Sequence, residues 1–409
     1  MKIENLRTGE YNGRKRVEAT VIWEDCNRSS YDVYFETDEK YSASLSCDPH
    51  AFLLACTMPA LHYGEKRVRI DEKVCPEFRD GLMVAMGWLS HWYGLESPRL
   101  DTKGRLLAFN EKHQKRAAFL FSGGIDSFMT LRRNRLNFPL DHPQSIKEGL
   151  LIFGLEQDIP ENFEHLKDFL EIAARDLDIT LIPAYTNLYL PFRQEDKKNN
   201  WDLWQHKFMG AALAATAHAL SQRFSEVSIS PDYDIPNFHP NGSHPLLEPN
   251  YSSVDMRIRY NGTNLSRFER TKLVVDWGLP LPYLRVCNKY QLYRLDKFNC
   301  CKCEKCVRTM LSLLALGALG KSKSFSMDDV SEKMLSDLSI TRQPFFYKEL
   351  IGPLRQCGRD DLAQILEKKL RAKAPQLRIF KSGIKKLDRR YLNGGLGKLA
   401  SMVGKEKHS

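Results

Sequence analysis

The chain has 409 residues, 42% of them hydrophobic and 27% charged, which is enough for two or three domains and excludes a mostly disordered, collagenous or disulfide-stapled chain. No run approaches the roughly 18 apolar residues that span a bilayer, and the start, MKIENLRTGEYNGRKRVEA, lacks the apolar core of a secretion signal, so a cytoplasmic, non-membrane protein is expected. The net charge of +10 is confined to one end: residues 367–409 carry 13 Lys and Arg against three acids, while residues 1–366 carry 48 of each sign.

Residues 1–75 hold β-rich runs such as RVEATVIW and YDVYFE between turn-forming residues, and a helical pattern follows over 76–93. Together they predict an N-terminal β-rich domain with a terminal helix over 1–110, joined by the charged connector 101–116. The pattern then alternates: strand 117–121, helix 127–134, strand 149–155, helix 161–177, strand 179–184, helix 203–224, strand 226–230. Such alternation implies crossovers and an α/β domain, a parallel sheet with helices on both faces, over 111–285. Ligands of such sheets bind beyond the carboxyl ends of the strands. A long Pro-, Asn- and His-rich loop comes next, then a helix from Ser266, whose spacing to Glu269 forms a capping box. A cysteine-rich segment with an apolar helix over 286–320 and a helical, basic extension over 321–409 complete the chain.

The sharpest motif is AAFLFSGGIDSFMTL. An apolar strand ends in Ser122-Gly123-Gly124 and a helix begins by Ser127, so successive N–H groups and a helix N-terminus converge on one anion site. A phosphate is its natural ligand. Ser122 and Ser127 bring hydroxyl donors, and Asp126, which would repel bare phosphate, suits Mg²⁺. The GxxxxGK[ST] pattern is absent.

SGGIDS resembles the SGGxDS loop of the PP-loop ATP pyrophosphatases (adenine nucleotide alpha hydrolase-like), among them GMP synthetase, asparagine synthetase and the 7-cyano-7-deazaguanine synthases of queuosine biosynthesis. The resemblance implies that Ser122, Gly123, Gly124, Ile125, Asp126 and Ser127 hold the β,γ-pyrophosphate of ATP, and that backbone at Gly154-Leu155 faces adenine. It further implies catalytic roles for Asp126 and for Lys272, the late basic residue paired with phosphate.

Of ten cysteines, Cys300, Cys303 and Cys306 form C-x2-C-x2-C, and Cys287 lies upstream. Four thiolates close a tetrahedral zinc site with no open position, which is structural in character; Cys301 is the spare. Buried thiols and a cubane iron–sulfur cluster are the alternatives. The arrangement also resembles the C-terminal zinc site of the 7-cyano-7-deazaguanine synthase family, with a longer first gap here.

Asp232, Ser243 and His244, in the loop after strand 226–230, are the candidate substrate residues, and His206 reads as a core or surface histidine. The resemblance covers 116–319, half the chain, and implies a ligase that uses ATP, Mg²⁺ and Zn²⁺. A substrate oxygen, of a carboxylate by this reading, is adenylated with release of pyrophosphate, and a nitrogen donor displaces AMP. The alternatives are a PP-loop sulfurtransferase and a zinc-containing nucleic-acid-binding module. Lys385, Lys386, Arg389 and Arg390 concentrate charge in the tail, which is either a solvated extension or a docking surface for nucleic acid or an acidic protein. Self-association is left open.

Overall fold

The computed structural model describes residues 1–105, 116–155, 159–193, 197–287, 289, 298–340 and 343–371. Ten strands form a single, mostly parallel sheet: β1 (Lys2–Tyr11), β2 (Arg14–Ile22), β3 (Tyr31–Asp38), β4 (Arg67–Val74), β5 (Arg99–Arg105), β6 (Arg116–Leu120), β7 (Ile146–Phe153), β8 (Thr180–Thr186), β9 (Phe224–Ile229) and β10 (Arg257–Tyr260). Their order is β10-β9-β6-β7-β8-β3-β2-β1-β4-β5.

The five strands from β6 to β10 pair in parallel. Read by themselves they run third-second-first-fourth-fifth, the doubly wound arrangement. The chain leaves β6 through α3 (Ile125–Asn137) to β7, and β7 through α4 (Pro160–Asp176) to β8. It then returns past β6 to β9 through α5 (Leu190–Arg193), α6 (Lys197–Leu203), a π-helical turn (Trp204–Phe208) and α7 (Met209–Ala219). Right-handed crossovers of opposite direction put α3 and α4 on one face and α7 on the other. The order reverses between β6 and β9, and in doubly wound sheets the carboxyl ends at such a reversal are where ligands bind.

The boundary expected at residue 110 does not divide this sheet. β3 pairs antiparallel with β8 through Phe35–Thr37, and the Thr37 hydroxyl donates to Pro183 O at 2.7 Å. Apolar alternation on β2 sends Val17, Ala19 and Val21 into a core shared with α1 (Pro49–Tyr63) and α7. Periodicity does not reveal α1, because its apolar run is buried all round and shows no periodic face. α2 (Pro76–Tyr93) follows the predicted range 76–93. The first residues of the expected connector, 101–105, belong to the edge strand β5, paired in parallel with β4.

Two compact units emerge, 1–330 and 331–409, so the cysteine segment belongs with the sheet. On the first unit, α8 (Arg267–Trp277) packs against α3 and α9 (Glu304–Ala315) against α8. The second unit contains α10 (Glu332–Asp337), α11 (Phe345–Lys348), α12 (Ile351–Gln356) and α13 (Asp360–Arg371), with Lys369 Nζ donating to Leu338 O at 2.9 Å. The tail lysines and arginines from Lys385 to Arg390 lie outside the described residues. Among the described residues no helix is long and apolar enough to cross a membrane.

Candidate functional site

The turn after β6 projects from the sheet at the point of reversal. Gly123 has φ +74°, and Gly124 is the N-cap of α3. A Cβ at Gly123 would stand 2.9 Å from Leu170 Cδ2 and 3.4 Å from Arg285 Cβ, so both conformation and space demand glycine there. Ile125 is fully buried and fixes the helix start in the core, which leaves the first-turn N–H groups of α3 without intrahelical partners. The Ser127 hydroxyl donates to Gly124 O at 2.9 Å and braces the turn from within, while Ser122 is exposed beside it.

Asp126 and α8 form an ion cluster at this turn. One carboxylate oxygen meets the Arg267 guanidinium, and the other lies 3.2 Å from Arg270 Nη1. Arg270 is fully buried; its remaining donors reach Leu265 O at 3.0 Å, Pro231 O at 2.6 Å and Tyr233 O at 2.9 Å. It therefore ties the start of α3 to the chain leaving β9. Ser230 adds a second tie, its hydroxyl donating to Asp126 O at 3.1 Å. Burial alone would raise the Asp126 carboxyl, but Arg267 and Arg270 outweigh it and hold the group below the usual carboxylate range. A guanidinium thus meets each oxygen of Asp126, which anchors the start of α3 to α8.

Lys272 is exposed. Two residues beyond Arg270 the helix has turned by about 200°, which directs the side chain away from the cluster. Arg267 and Arg270 occupy the inner face instead, and the capping box at Ser266, present with Glu269, fixes where that face begins.

Gly154, with φ +93°, ends β7 so close to β8 that a Cβ would overlap Thr186 O at 1.6 Å, and Leu155 beside it is buried. The loop after β9 is less open than its composition implied. Asp232 is half-buried at the strand's end, its N–H donating to the Tyr260 hydroxyl at 3.3 Å. Ser243 and His244 are buried, and the His244 ring contacts Trp92 and Phe238. Burial also lowers the His244 imidazole. Both side chains pack within the loop. Their segment inserts at the π turn, where Gly242 N donates to Gln205 O and Gly210 N to Gly242 O, both at 2.9 Å. A π turn disrupts the regular ladder, and here the loop backbone takes up the freed groups. His206 lies on that turn, half-buried, with burial lowering its imidazole.

The four cysteines converge as their spacing predicts. Cys287 and Cys303 Sγ are 3.8 Å apart, Cys300 and Cys306 Sγ 3.9 Å, and all four lie within 4.8 Å of one another. A tetrahedral ion with Zn–S bonds of about 2.3 Å requires sulfur–sulfur edges of about 3.8 Å. The cluster could thus hold a metal ion such as zinc, while a cubane with four irons and four sulfides needs a wider sulfur cage. Backbone N–H groups of Lys289 and Cys303 donate to Cys287 and Cys300 Sγ at 3.4 and 3.2 Å, which favours thiolates. Cys301 has φ +54° and directs its sulfur to Ser326 Oγ, outside the cluster.

This cluster reaches the glycine turn through a short relay. Asn299 accepts from Val286 N and Cys287 N at 2.9 and 3.3 Å and donates to Leu284 O at 2.7 Å, and Arg285 N donates to Gly123 O at 2.7 Å. A second convergence, Asp48, His50 and His218, is buried beneath α1. His50 Nε2 accepts from Cys75 N at 2.9 Å, so Nδ1–H faces Asp48 at 2.7 Å, and His218 Nε2 donates to Tyr251 O at 2.7 Å. That group reads as a helix-capping network. No family model, curated protein or solved structure matches this chain.

Proposed function

We propose that the chain is an ATP pyrophosphatase of the SGGxDS type, an AMP-forming ligase similar to the 7-cyano-7-deazaguanine synthases. The observation that carries this reading is the glycine turn Ser122–Ser127, at the carboxyl end of β6 where the strand order reverses, clamped by Arg267 and Arg270. The turn supplies unpartnered N–H groups for the β,γ-phosphates.

In the first step a substrate carboxylate oxygen attacks the α-phosphorus, the bond to the bridging oxygen breaks, and pyrophosphate leaves. In the second, a nitrogen nucleophile adds to the acyl carbon, and AMP departs with the substrate's oxygen. The departing pyrophosphate gathers charge, which the α3 N-terminus and Arg267 stabilise, while Arg270 and Asp126 hold Arg267 in place. Mg²⁺ accompanies the nucleotide and neutralises its phosphates; no residue is assigned to it. Zinc at Cys287, Cys300, Cys303 and Cys306 has a structural part.

The test is incubation with ATP, Mg²⁺, ammonium and a panel of carboxylates, resolving AMP from ADP. Substrate-dependent AMP and pyrophosphate are expected. ADP and orthophosphate as primary products would refute the reading.

A further inference from the structure

The opposite end of the sheet holds a cavity of about 600 Å³ whose lining includes Arg116, Arg135, Lys147, Arg175, Leu140 and Asp178. Arg116 begins β6, Lys147 is the second residue of β7, and Arg135 and Arg175 sit in the last turns of α3 and α4. Four cations therefore face one acid, Asp178. We propose that this cavity binds a phosphate ester, at a site separate from the carboxyl ends of β6 and β9.

Cations near helix C-termini have an ordinary role, because each terminus carries about half a negative charge. That role accounts for Arg135, which donates to Asp178 O at 3.1 Å and so caps the end of α4. It does not account for the rest. Buried Glu148 is matched by Arg116 at 2.8 Å and by Arg223, whose Nε lies 2.6 Å from it, so its charge is already met. Among the described residues no carboxylate pairs with Lys147 or Arg175. Both are exposed at the cavity, which leaves an ammonium and a guanidinium fork able to take phosphate oxygens. The volume suits a ligand of nucleotide size, and Leu140, 54% exposed, supplies an apolar wall for the sugar or base. A free phosphorylated small molecule and one nucleotide of a longer strand share this chemistry.

Two probes distinguish them: ribose 5-phosphate, followed by calorimetry, and a short fluorescein-labelled single-stranded RNA, followed by anisotropy across a salt series. The full chain is compared with Lys147→Glu/Arg175→Glu, with the milder Lys147→Ala/Arg175→Ala, and with Arg267→Ala at the carboxyl end of the sheet. Equal melting temperatures establish that the surface changes leave the fold intact. We expect affinity for at least one probe to fall about tenfold or more in the charge-reversed protein, less in the alanine pair, and not in Arg267→Ala. A loss confined to ribose 5-phosphate identifies a free ester. A loss for RNA, with the salt slope reduced by about 0.7 per lost contact, identifies a strand. Affinities unchanged by both double substitutions, a loss seen only in Arg267→Ala, or no wild-type binding of either probe up to about 1 mM would overturn the proposal.

Discussion

The glycine turn after β6 is held from two sides by devices of opposite chemistry. On one side the cysteine cluster fixes Cys287, and two residues earlier Arg285 N donates to Gly123 O. On the other, α8 presents Arg270 and Arg267 to Asp126, with Arg270 also bound to the carbonyls of Pro231 and Tyr233. The first clamp is built on a cluster that could hold a metal, and it meets the backbone of the turn. The second depends on buried charge and sets its side chains. Removing a metal ligand should release a whole segment, whereas removing one arginine should separate stability from chemistry.

The largest effect is expected at the cysteines. Apparent zinc binding in small fingers is worth on the order of 10–16 kcal/mol, so losing a bound ion would remove a large share of what orders the cysteine segment. Cys303→Ser should lose its zinc, expose 281–326 to proteolysis and abolish AMP formation, whereas Cys301→Ser should keep about one zinc per chain. Elemental analysis with limited proteolysis decides it, and a full zinc complement in Cys303→Ser would remove the metal clamp.

The two arginines come next. Arg270 is fully buried and meets three carbonyls and a carboxylate, so Arg270→Ala leaves those acceptors stranded and should cost about 3 kcal/mol in denaturant unfolding. Arg267 keeps a partly exposed side chain on one partner, so Arg267→Ala should cost only about 1 kcal/mol. Its kcat should nevertheless fall about a hundredfold if it stabilises the leaving pyrophosphate. Equal losses of stability and turnover in both variants would mean that the second clamp is structural throughout.

The same contrast separates what the sequence reveals from what it conceals. The C-x2-C-x2-C spacing and the glycine turn are local, because metal geometry and positive φ dictate residue type within a few positions. The alternation from 117 onward likewise gave a parallel sheet, since crossover helices leave a periodic trace. The arginine clamp joins residues 141 and 144 positions from Asp126, and nothing in RFERTK marks Arg267 and Arg270 above Lys272 until the capping box sets the helix phase. Ser243 and His244 look like ligand-facing groups in a polar loop, but the π turn draws their backbone inward and buries them. The joining of 1–105 to the nucleotide-type sheet depends on the β3–β8 pairing, a contact across some 150 residues that local patterning does not encode.

The smallest expected effect distinguishes a buried carboxyl that has cations from one that has none. Glu248 is fully buried; Oε2 accepts from His244 N at 2.7 Å, while Oε1 has no hydrogen-bond partner among the described residues. Burial pushes its carboxyl up to about 8, whereas the guanidiniums hold Asp126 below the ordinary range. The folded state thus retains the Glu248 proton after the unfolded chain has lost it, and stability from this group falls as pH rises from the ordinary carboxylate range to about 8. Asp126 acts in the opposite sense, contributing stability above its unfolded value and losing it as pH falls through the lower folded one. Glu248→Gln keeps the shape without the titration. Its melting temperature should match wild type near pH 4.5 and exceed it by a margin that grows as pH rises toward 8. Asp126→Asn should show the reverse, a deficit that is largest at neutral pH and narrows on acidification. Parallel pH profiles for the two variants would mean that the guanidiniums do not set the charge state of Asp126, and the electrostatic half of the comparison would fail.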